Sequence, residues 1–246
     1  MKKNRAKIGS WITIYSLEVV EVMAEMGFDW LCVDLEHTSI DYSQAKNLIL
    51  AIQSKNIKAY VRVSNNDPII IKRVLDSGAD GIIVPMINTK KDAQFAINSI
   101  YYHPIGNRGV GLYRAQGYGS NFDNYFNNKS KKVEFYAQIE HIKAIKNLDD
   151  ILSLKYLSGT IIGPYDMSSS IGKAGDLGCK ELKEIIYKYE KKSKKYDKSI
   201  GFHVVPIDYK IVKEKINKGY NFIAFGFDLN FLKSSIKIHL SKLGKD

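Results

Sequence analysis

The stretch Ala59-Tyr-Val-Arg-Val-Ser-Asn-Asn-Asp-Pro-Ile-Ile-Ile-Lys-Arg-Val-Leu-Asp-Ser-Gly-Ala-Asp-Gly-Ile-Ile-Val-Pro85 decides the fold, because it contains one complete strand–helix–strand unit. Its first residues, Ala59–Val63, form the short apolar run that is typical of a strand buried on both faces. The Asp67-Pro68 pair predicts the start of a helix, and Gly78 predicts its end. The apolar run Gly81–Pro85 predicts a second strand, parallel to the first.

The same alternation of short apolar runs and longer amphipathic stretches continues in both directions from this unit. Strands are predicted at Ile8–Tyr15, Trp30–Leu35, Ala59–Val63, Gly81–Pro85, Glu134–Glu140, Gly159–Gly163, Ile200–Val204 and Asn221–Phe225. Helices are predicted at Leu17–Met26, Tyr42–Ser54, Pro68–Ser77, Thr89–Tyr101, Ile142–Leu152, Lys180–Tyr196, Tyr209–Lys218 and Leu229–Leu240. The segment from His103 to Lys132 has no clear periodicity, and such a long loop is typical of a functional or flexible region.

The number of strand–helix repeats in about 250 residues favours a (β/α)8 TIM barrel, an α/β fold that we expect to span residues 1–246 as one domain. The alternative is an open, doubly wound sheet, which shows the same alternation. Such a sheet would usually carry a glycine-rich turn after its first strand, but the chain reads Trp11-Ile-Thr-Ile-Tyr-Ser16 there. The barrel is therefore the preferred prediction.

The composition excludes several classes of protein. The chain has 246 residues, 45% of them hydrophobic, and can bury a large core without disulfides or metal ions. Two cysteines are too few for a disulfide-stapled secreted scaffold. No apolar run approaches the ~20 residues that a membrane-spanning helix needs. These features predict a cytoplasmic protein with no membrane partner.

The chain is basic, with 37 Lys and Arg against 26 Asp and Glu and a formal net charge of +11. Clustered positive charge could mark a nucleic-acid or polyanion partner. Many of the lysines, however, fall in Tyr187–Lys198, which is typical of a solvated helix face, and no nucleic-acid recognition motif accompanies them. We therefore expect no nucleic-acid partner, and a positive field that favours a small anionic substrate.

Polar groups are concentrated where the predicted strands end. In a TIM barrel that end gathers all the strand–helix loops around one axis, so it carries the chemistry. The groups are Asp34-Leu-Glu-His37, Arg62, Pro85-Met86, Gln138-Ile-Glu140 and Gly163-Pro-Tyr-Asp166. Buried charges are costly unless they are paired or bound to a metal, so stability alone does not explain this convergence.

Glu140 and Asp166 follow neighbouring strands, so their carboxylates can approach each other at this end of the barrel. Two such charges would raise one pKa unless a cation lay between them. Oxygen ligands suit a hard divalent ion such as Mg²⁺ or Mn²⁺. The alternative is a salt bridge from one carboxylate to Arg62 or Arg108, and the spacing does not decide between the two.

Two further residues have both a catalytic and a structural interpretation. His37 is either a hydrogen-bonded structural residue or an acid–base group whose basicity Asp34 or Glu36 would raise. Arg62 lies on an otherwise apolar strand and needs an anionic partner. That partner is either a substrate oxygen or one of the two carboxylates above.

Seven motifs follow one another along most of the chain. They are Gly27-Phe-Asp-Trp30 with Val33-Asp-Leu-Glu-His37, Val61-Arg-Val-Ser-Asn-Asn-Asp-Pro68, Ile71-Lys-Arg-Val-Leu-Asp-Ser-Gly78, Val84-Pro-Met86, Pro104-Ile-Gly-Asn-Arg-Gly-Val-Gly111, Gln138-Ile-Glu140 and Ile162-Gly-Pro-Tyr-Asp-Met-Ser168. Together they resemble the HpcH/HpaI aldolase family, which comprises metal-dependent class II aldolases that use pyruvate or a related 2-oxo acid. One such motif would be weak, but seven in the family's order are specific.

The resemblance implies how a metal ion and a 2-oxo acid would be bound. Glu140 and Asp166 would hold a divalent cation, Mg²⁺ or Mn²⁺ with Co²⁺ as a further candidate. Gln138 and the backbone from Gly163 through Tyr165 to Asp166 would complete the grip on pyruvate. In the family, barrels commonly pair by exchanging the last helix and assemble as trimers of dimers, so a homo-oligomer is implied.

The resemblance also implies catalytic roles. Arg62 would donate to the 2-oxo oxygen and stabilise the enolate, and His37 would act as the acid–base group. Asp76 matches a family residue that reaches the site across a subunit contact, where it would raise the basicity of His37. Arg108 would meet the acceptor aldehyde or its distal acid.

Two residues depart from the family pattern. Tyr165 places a bulky side chain inside the Gly163–Asp166 turn, which leaves the acceptor pocket open to change. His203 lies on the seventh strand, where mostly apolar residues are expected, and is either a satisfied structural histidine or a residue of the pocket.

The expected reaction is the reversible aldol cleavage of a 4-hydroxy-2-oxo acid, such as a 2-keto-3-deoxy sugar acid, to pyruvate and an aldehyde. A Schiff-base aldolase would need a buried lysine at a strand end. Lys58 precedes its strand and Lys72 lies within a predicted helix, so the sequence favours the metal-dependent route. The alternatives are a citryl- or malyl-type CoA-thioester lyase on the same barrel and a non-catalytic polyanion binder.

Overall fold

The computed structural model describes residues 5–245 and contains a closed barrel of eight parallel strands, which confirms the predicted TIM barrel. Strands that are consecutive in the sequence are hydrogen-bonded neighbours, and pairing of the first with the last closes the sheet. The strands are β1 (Lys7–Ile12), β2 (Trp30–Asp34), β3 (Lys58–Arg62), β4 (Gly81–Val84), β5 (Glu134–Ile139), β6 (Gly159–Ile162), β7 (Ser199–Val204) and β8 (Phe222–Phe227). Every predicted strand is present, with bounds that differ by no more than three residues.

Helices connect the strands. They are α1 (Leu17–Glu25), α2 (Tyr42–Ser54), α3 (Pro68–Asp76), α4 (Lys90–Ile100), α5 (Phe122–Asn124), α6 (Ile142–Lys146), α7 (Leu148–Leu152), α8 (Pro164–Ser170), α9 (Lys180–Ser193), α10 (Tyr209–Asn217) and α11 (Asp228–Ser241). The helix predicted over 142–152 is divided at Asn147, whose side chain donates to the Asn88 carbonyl at 2.9 Å. None of the helices within residues 5–245 has the length and apolar character needed to cross a bilayer.

The strand–helix–strand unit that decided the fold forms as predicted. The Asp67 side chain accepts hydrogen bonds from the backbone nitrogens of Ile69 and Ile70 at 2.7 and 3.1 Å, so it caps α3. Gly78 follows the helix with a φ of +100°, in the left-handed region that glycine adopts without strain. α3 therefore starts beside the end of β3 and stops just before the chain enters β4.

Large aromatic rings fill the centre of the barrel. Trp30 stacks on Phe222 with ring centres 4.5 Å apart, and Tyr136 also stacks on Phe222, with ring centres 3.9 Å apart. Tyr60 packs edge-on against Phe222 at 5.7 Å, and all four side chains are fully buried. Since this layer fills the barrel centre, the axial space above it lies at the end where the strands finish, which we call the mouth.

The segment with no periodicity, 103–132, is packed rather than an open loop. It contains α5, short 3₁₀ segments at Arg114–Gly119 and Ser130–Lys132, and a π-helical turn at Tyr125–Lys129. Its buried Gln116 donates to Tyr102 Oη at 3.1 Å and to Asp76 Oδ1 at 3.0 Å. Buried side-chain hydrogen bonds, which leave no trace in hydrophobic periodicity, therefore order this segment.

Gly9 allows β1 to approach the aromatic layer, and replacing it should destabilise the barrel. A Cβ atom at Gly9 would lie 2.0 Å from Cδ2 of Trp30, so Gly9→Ala forces the ring or the strand to move. We expect a loss of about 3 kcal/mol in the free energy of unfolding, measured by urea denaturation. In the matched control Gly109→Ala, the nearest atom is 3.8 Å away, and stability should stay within about 0.5 kcal/mol. Equal stability of the two variants would contradict this reading of the packing.

Candidate active site at the mouth of the barrel

The mouth brings together most of the polar residues predicted there. Arg62 is the last residue of β3, Asp34 is the last of β2, and the two are paired in the register of these strands. Glu140 comes directly after β5, and Asp166 lies in the first turn of α8, directly after β6. Parallel strands thus deliver these charges to one end of the barrel, as the sequence predicted.

Arg62 is held by acidic residues at the end of the neighbouring strand β2 and in the loop after it. Its Nε and Nη2 donate to the two carboxylate oxygens of Asp34 at 2.9 and 2.7 Å, and Nη1 lies 3.2 Å from Glu36 Oε2. The guanidinium carbon sits 4.4 Å from the ring centre of Trp11, a cation–π contact. The protein partners of Arg62 are therefore Asp34 and Glu36, rather than Glu140 or Asp166 as one alternative supposed.

Glu140 is buried and is fixed through both carboxylate oxygens. Oε2 accepts from the backbone nitrogen of Met86 at 2.9 Å, and Oε1 accepts from Gln138 Nε2. Burial, together with the negative charges of Glu36 and Asp166, raises the pKa of Glu140 to about 7. A charged Glu140 is thus costly here unless a positive charge joins it.

Met86 adopts a φ of +54°, in the left-handed region that a residue with a side chain seldom occupies. This conformation turns its N–H toward Glu140 Oε2. Backbone strain of this kind is concentrated at functional sites, where surrounding structure enforces it. The strand-four ending Pro85-Met86, predicted only as part of the mouth, therefore has a defined task, which is to position Glu140.

Gly163 leaves the space between the two carboxylates open. A Cβ atom on Gly163 would lie 3.3 Å from Asp166 Oδ2 and 3.6 Å from Glu140 Oε1. Both carboxylates therefore lie close to the same point of the backbone. Asp166 is exposed at the rim, while Glu140 lies below it in the mouth.

These residues fit a hard divalent cation. Their donor set consists of carboxylate oxygens, and the nearby Gln138 Oε1 is a buried acceptor with no hydrogen-bond partner among residues 5–245. No cluster of three or more His, Cys, Asp or Glu side chains suitable for a metal occurs in that part of the chain. A cation here would accordingly have two protein carboxylates and further positions left for small-molecule oxygens.

His37 lies at the edge of the mouth on the loop after β2. Its Nε2 is 3.6 Å from Glu36 Oε2, and its backbone nitrogen donates to Asp34 Oδ1 at 3.4 Å. Burial, with the charge of Asp34, raises the pKa of Glu36 to about 7 despite the neighbouring Arg62. The imidazole side chain is 59% exposed, so protons can exchange with solvent there.

A model of the HpcH/HpaI aldolase/citrate lyase family matches residues 7–235. The chain belongs to this family. It is 30% identical over 235 residues to the 2-dehydro-3,6-dideoxy-6-sulfogluconate aldolase of Pseudomonas putida, covering 95% of this chain and 91% of the relative. Identity to the hydroxypyruvate/pyruvate aldolase of Roseobacter denitrificans is 30% over 239 residues, covering 96% and 92%.

An HpcH/HpaI aldolase/citrate lyase family protein from Burkholderia cenocepacia J2315 has the same fold, with a TM-score of 0.93 at 25% sequence identity. The superposition covers 98% of this chain and 95% of that one. The resemblance read from the seven motifs is therefore confirmed. With aldolase relatives over nearly its whole length, this HpcH/HpaI barrel is a carbon–carbon lyase.

Two predicted site residues of this HpcH/HpaI protein lie together away from the mouth of their own chain. Asp76 ends α3, which begins beside the mouth and runs about 12 Å from it. Asp76 Oδ1 accepts from Arg108 Nη2 at 2.6 Å, and Arg108 Nη1 donates to Tyr125 Oη at 3.1 Å. Arg108 is fully buried in this cluster, so within one chain neither residue reaches His37 or a substrate at the mouth.

Three features of the HpcH/HpaI site were not predicted from the sequence. They are the Trp11 ring under Arg62, the left-handed Met86, and the helical turn α8 that begins at Pro164. The contact of Trp11 with Arg62 could have been anticipated, because Trp11 lies late on an apolar strand and alternate residues of a barrel strand face inward. The left-handed conformation of Met86 could not have been found in this way, because nothing about a methionine in the sequence indicates it.

Proposed function

We propose that this enzyme reversibly cleaves a 4-hydroxy-2-oxo acid to pyruvate and an aldehyde, with a divalent cation held by Glu140 and Asp166. The observation that carries the proposal is the pair of carboxylates beside Gly163, next to the unpaired oxygen of Gln138. Arg62, Gln138 and Asp166 line one cavity there. When bound there, the cation would supply Lewis acidity toward the 2-oxo acid. The named relatives, aldolases of a sulfogluconate derivative and of hydroxypyruvate and pyruvate, support this substrate class.

Arg62 would stabilise the negative charge that develops on the 2-oxo oxygen as the C3–C4 bond breaks. Its bidentate pairing with Asp34 fixes the direction of the guanidinium before substrate arrives. Such preorganised donors are worth much more in a water-poor site than in bulk water. The stacking of Arg62 on Trp11 further restricts the movement of the guanidinium.

His37 would take the proton from the 4-hydroxyl. The electrons of that O–H bond form the new carbonyl of the aldehyde, and those of the C3–C4 bond pass to the 2-oxo group as an enolate. A proton added at C3 then gives pyruvate. Glu36, 3.6 Å from the His37 ring, would support the imidazolium that forms, while Asp76 could assist only from another subunit.

The backbone from Gly163 to Asp166 would contact the substrate carboxylate. Pro164 begins α8, and the N–H groups of the next residues, Tyr165 and Asp166, have no carbonyl of their own helix to bind. The exposed Tyr165 side chain projects at the rim and would face the aldehyde portion. For Arg108 to contact the aldehyde, either a second subunit would have to bring its Arg108 to this mouth or the segment that holds Arg108 would have to rearrange.

The CoA-thioester lyase alternative has less support, because the named relatives over most of the chain are aldolases. Exchange of the last helix in a homo-oligomer remains part of the proposal. It is supported by the apolar side chains that α11 leaves in solvent, such as Leu232, which is 57% exposed, and Ile236, which is 49% exposed. A cytoplasmic location stays a prediction.

Removing divalent cations should abolish the activity. We expect dialysis against a chelator to lower the rate of pyruvate-dependent aldol addition at least about 100-fold, because the electrophilic stabilisation of the enolate is lost. Adding back Mg²⁺, Mn²⁺ or Co²⁺, each screened against a panel of aldehydes, should restore it and rank the metals. Circular dichroism provides the control, since the chelated protein should stay folded. Full activity in the chelated protein would remove the cation from the mechanism.

A further inference from the structure

His203 is a polar side chain in the mouth to which the mechanism above gives no role. It lies on β7, lines the same cavity as Arg62, Gln138 and Asp166, and its ring centre is 5.5 Å from that of Trp11. Its Nε2 is buried and has no hydrogen-bond partner within residues 5–245. A buried polar atom without a partner is uncommon and points to a group that the protein itself does not provide.

The other side of the ring determines what Nε2 can do. The Gly226 backbone favours a proton on the imidazole nitrogen that faces it, and since Nε2 has no partner, we assign the ring proton to Nδ1. Burial and the positive charge of Arg62 lower the pKa of His203 to about 3, so the ring carries a single proton at neutral pH. With that proton on Nδ1, Nε2 presents a lone pair and acts as an acceptor. So weak a base is unsuited to removing the 4-hydroxyl proton.

We propose that Nε2 of His203 accepts a hydrogen bond from a substrate hydroxyl and thereby selects hydroxylated substrates. Of the polar groups in the proposed reaction, carboxylate and oxo oxygens are themselves acceptors, so a hydroxyl is the one that can donate to Nε2. The inference rests on the proposed function. Two substrates can supply the hydroxyl: a 3-hydroxy-2-oxo acid in the position of pyruvate, or a hydroxyaldehyde as the acceptor.

A comparison of four substrate pairs tests the inference. Pyruvate or hydroxypyruvate is combined with acetaldehyde or glycolaldehyde, and kcat/KM for bond formation is measured for wild type, His203→Leu and His203→Gln. Comparing the hydroxy-to-deoxy ratio between proteins cancels the intrinsic reactivity of each substrate. We expect His203→Leu to lower that ratio by about five- to tenfold, the size of one neutral hydrogen bond, and His203→Gln to restore part of it. A fall in the ratio for hydroxypyruvate against pyruvate would place the hydroxyl on the 2-oxo acid. A fall for glycolaldehyde against acetaldehyde would place it on the aldehyde.

An unchanged ratio in both arms would overturn the inference, and so would an equal loss for all four pairs, which indicates packing alone. Thermal unfolding checks that His203→Leu is folded, which we expect because it removes a buried unpaired atom. Dissociation constants of the four compounds, from ligand-observed NMR, give a readout independent of turnover. If the wild-type enzyme formed no carbon–carbon bond with any of the four pairs, the proposed function would fail. If it still bound hydroxylated ligands more tightly and His203→Leu abolished that preference, the role inferred for His203 would stand.

Discussion

Glu140→Gln should lower kcat for aldol cleavage on the order of 10³-fold, because it removes one of the two carboxylates proposed to hold the cation. The change keeps the size of the side chain and the hydrogen bond from Met86, so the mouth should keep its shape. Steady-state kinetics at saturating Mn²⁺, with pyruvate release as the signal, measure the loss. The apparent affinity for the cation should fall as well.

The same variant should be more stable than wild type when no cation is present. Burial and neighbouring carboxylates raise the pKa of Glu140 to about 7, well above its value in an unfolded chain. A charged Glu140 therefore costs stability above pH 7, and a neutral glutamine avoids that cost. The gain should shrink as the pH falls through 7 toward 4.5, since Glu140 is then protonated in both states. Thermal unfolding of the chelated proteins across this range would show it.

Glu134→Gln is the matched control, since Glu134 starts the strand that Glu140 follows. Burial works to raise the pKa of Glu134, but ion pairs with Lys58 and Lys7 outweigh it and hold the pKa below its usual value. We expect Glu134→Gln to lose stability and to keep kcat, the opposite of Glu140→Gln. Wild-type turnover in Glu140→Gln would disprove the proposed cation site.

Arg62→Lys should lower kcat about 100-fold with little change in folding, because lysine keeps the charge but not the forked geometry. Lysine can still neutralise the buried Asp34, which arginine now binds through two nitrogens. Arg62→Ala is a poorer test, since leaving Asp34 buried and unpaired should cost about 3–5 kcal/mol of stability. Because of this contact with Asp34, a loss of activity in the alanine variant would not separate chemistry from folding.

Arg73→Lys is the control for Arg62→Lys. Arg73 also stacks on an aromatic ring, with its guanidinium carbon 4.2 Å from the ring centre of Tyr42, but it lies on the exposed side of α3. We expect this variant to keep the wild-type kcat and KM. If both variants kept them, Arg62 would have no part in stabilising the enolate.

The barrel and the composition of its mouth could be predicted from sequence because both depend on local pattern. Apolar runs located the strands, and the residue type at each strand end placed Arg62, Glu140 and Asp166 on one face. The partners could not be predicted in the same way. Asp34 meets Arg62 because β2 and β3 pair in one particular register, which the sequence of either strand leaves open. Spacing along the chain predicts which residues lie at the mouth, but not which side chains contact each other there.

Other features were missed because they depend on geometry that residue type does not determine. Pro164–Ser170 is too short and polar to show helical periodicity, so the sequence predicts a turn where the structure has α8. The pairing of Asp76 with Arg108 joins a helix end to a segment more than thirty residues away, through buried contacts that follow no pattern. The role proposed for Asp76 beside His37 would require a second subunit, and a single chain gives no sign of where that subunit would lie.

The layer of Trp30, Tyr60, Tyr136 and Phe222 makes the reaction chamber a dead end. Whatever enters must leave by the same opening. In the proposed function the 2-oxo acid would bind between Arg62 and Glu140, so it would be the deeper of the two reactants, with the aldehyde above it. In cleavage the aldehyde departs before pyruvate, and in synthesis pyruvate enters first, so the architecture imposes an obligatory sequence of arrival and departure on the proposed reaction.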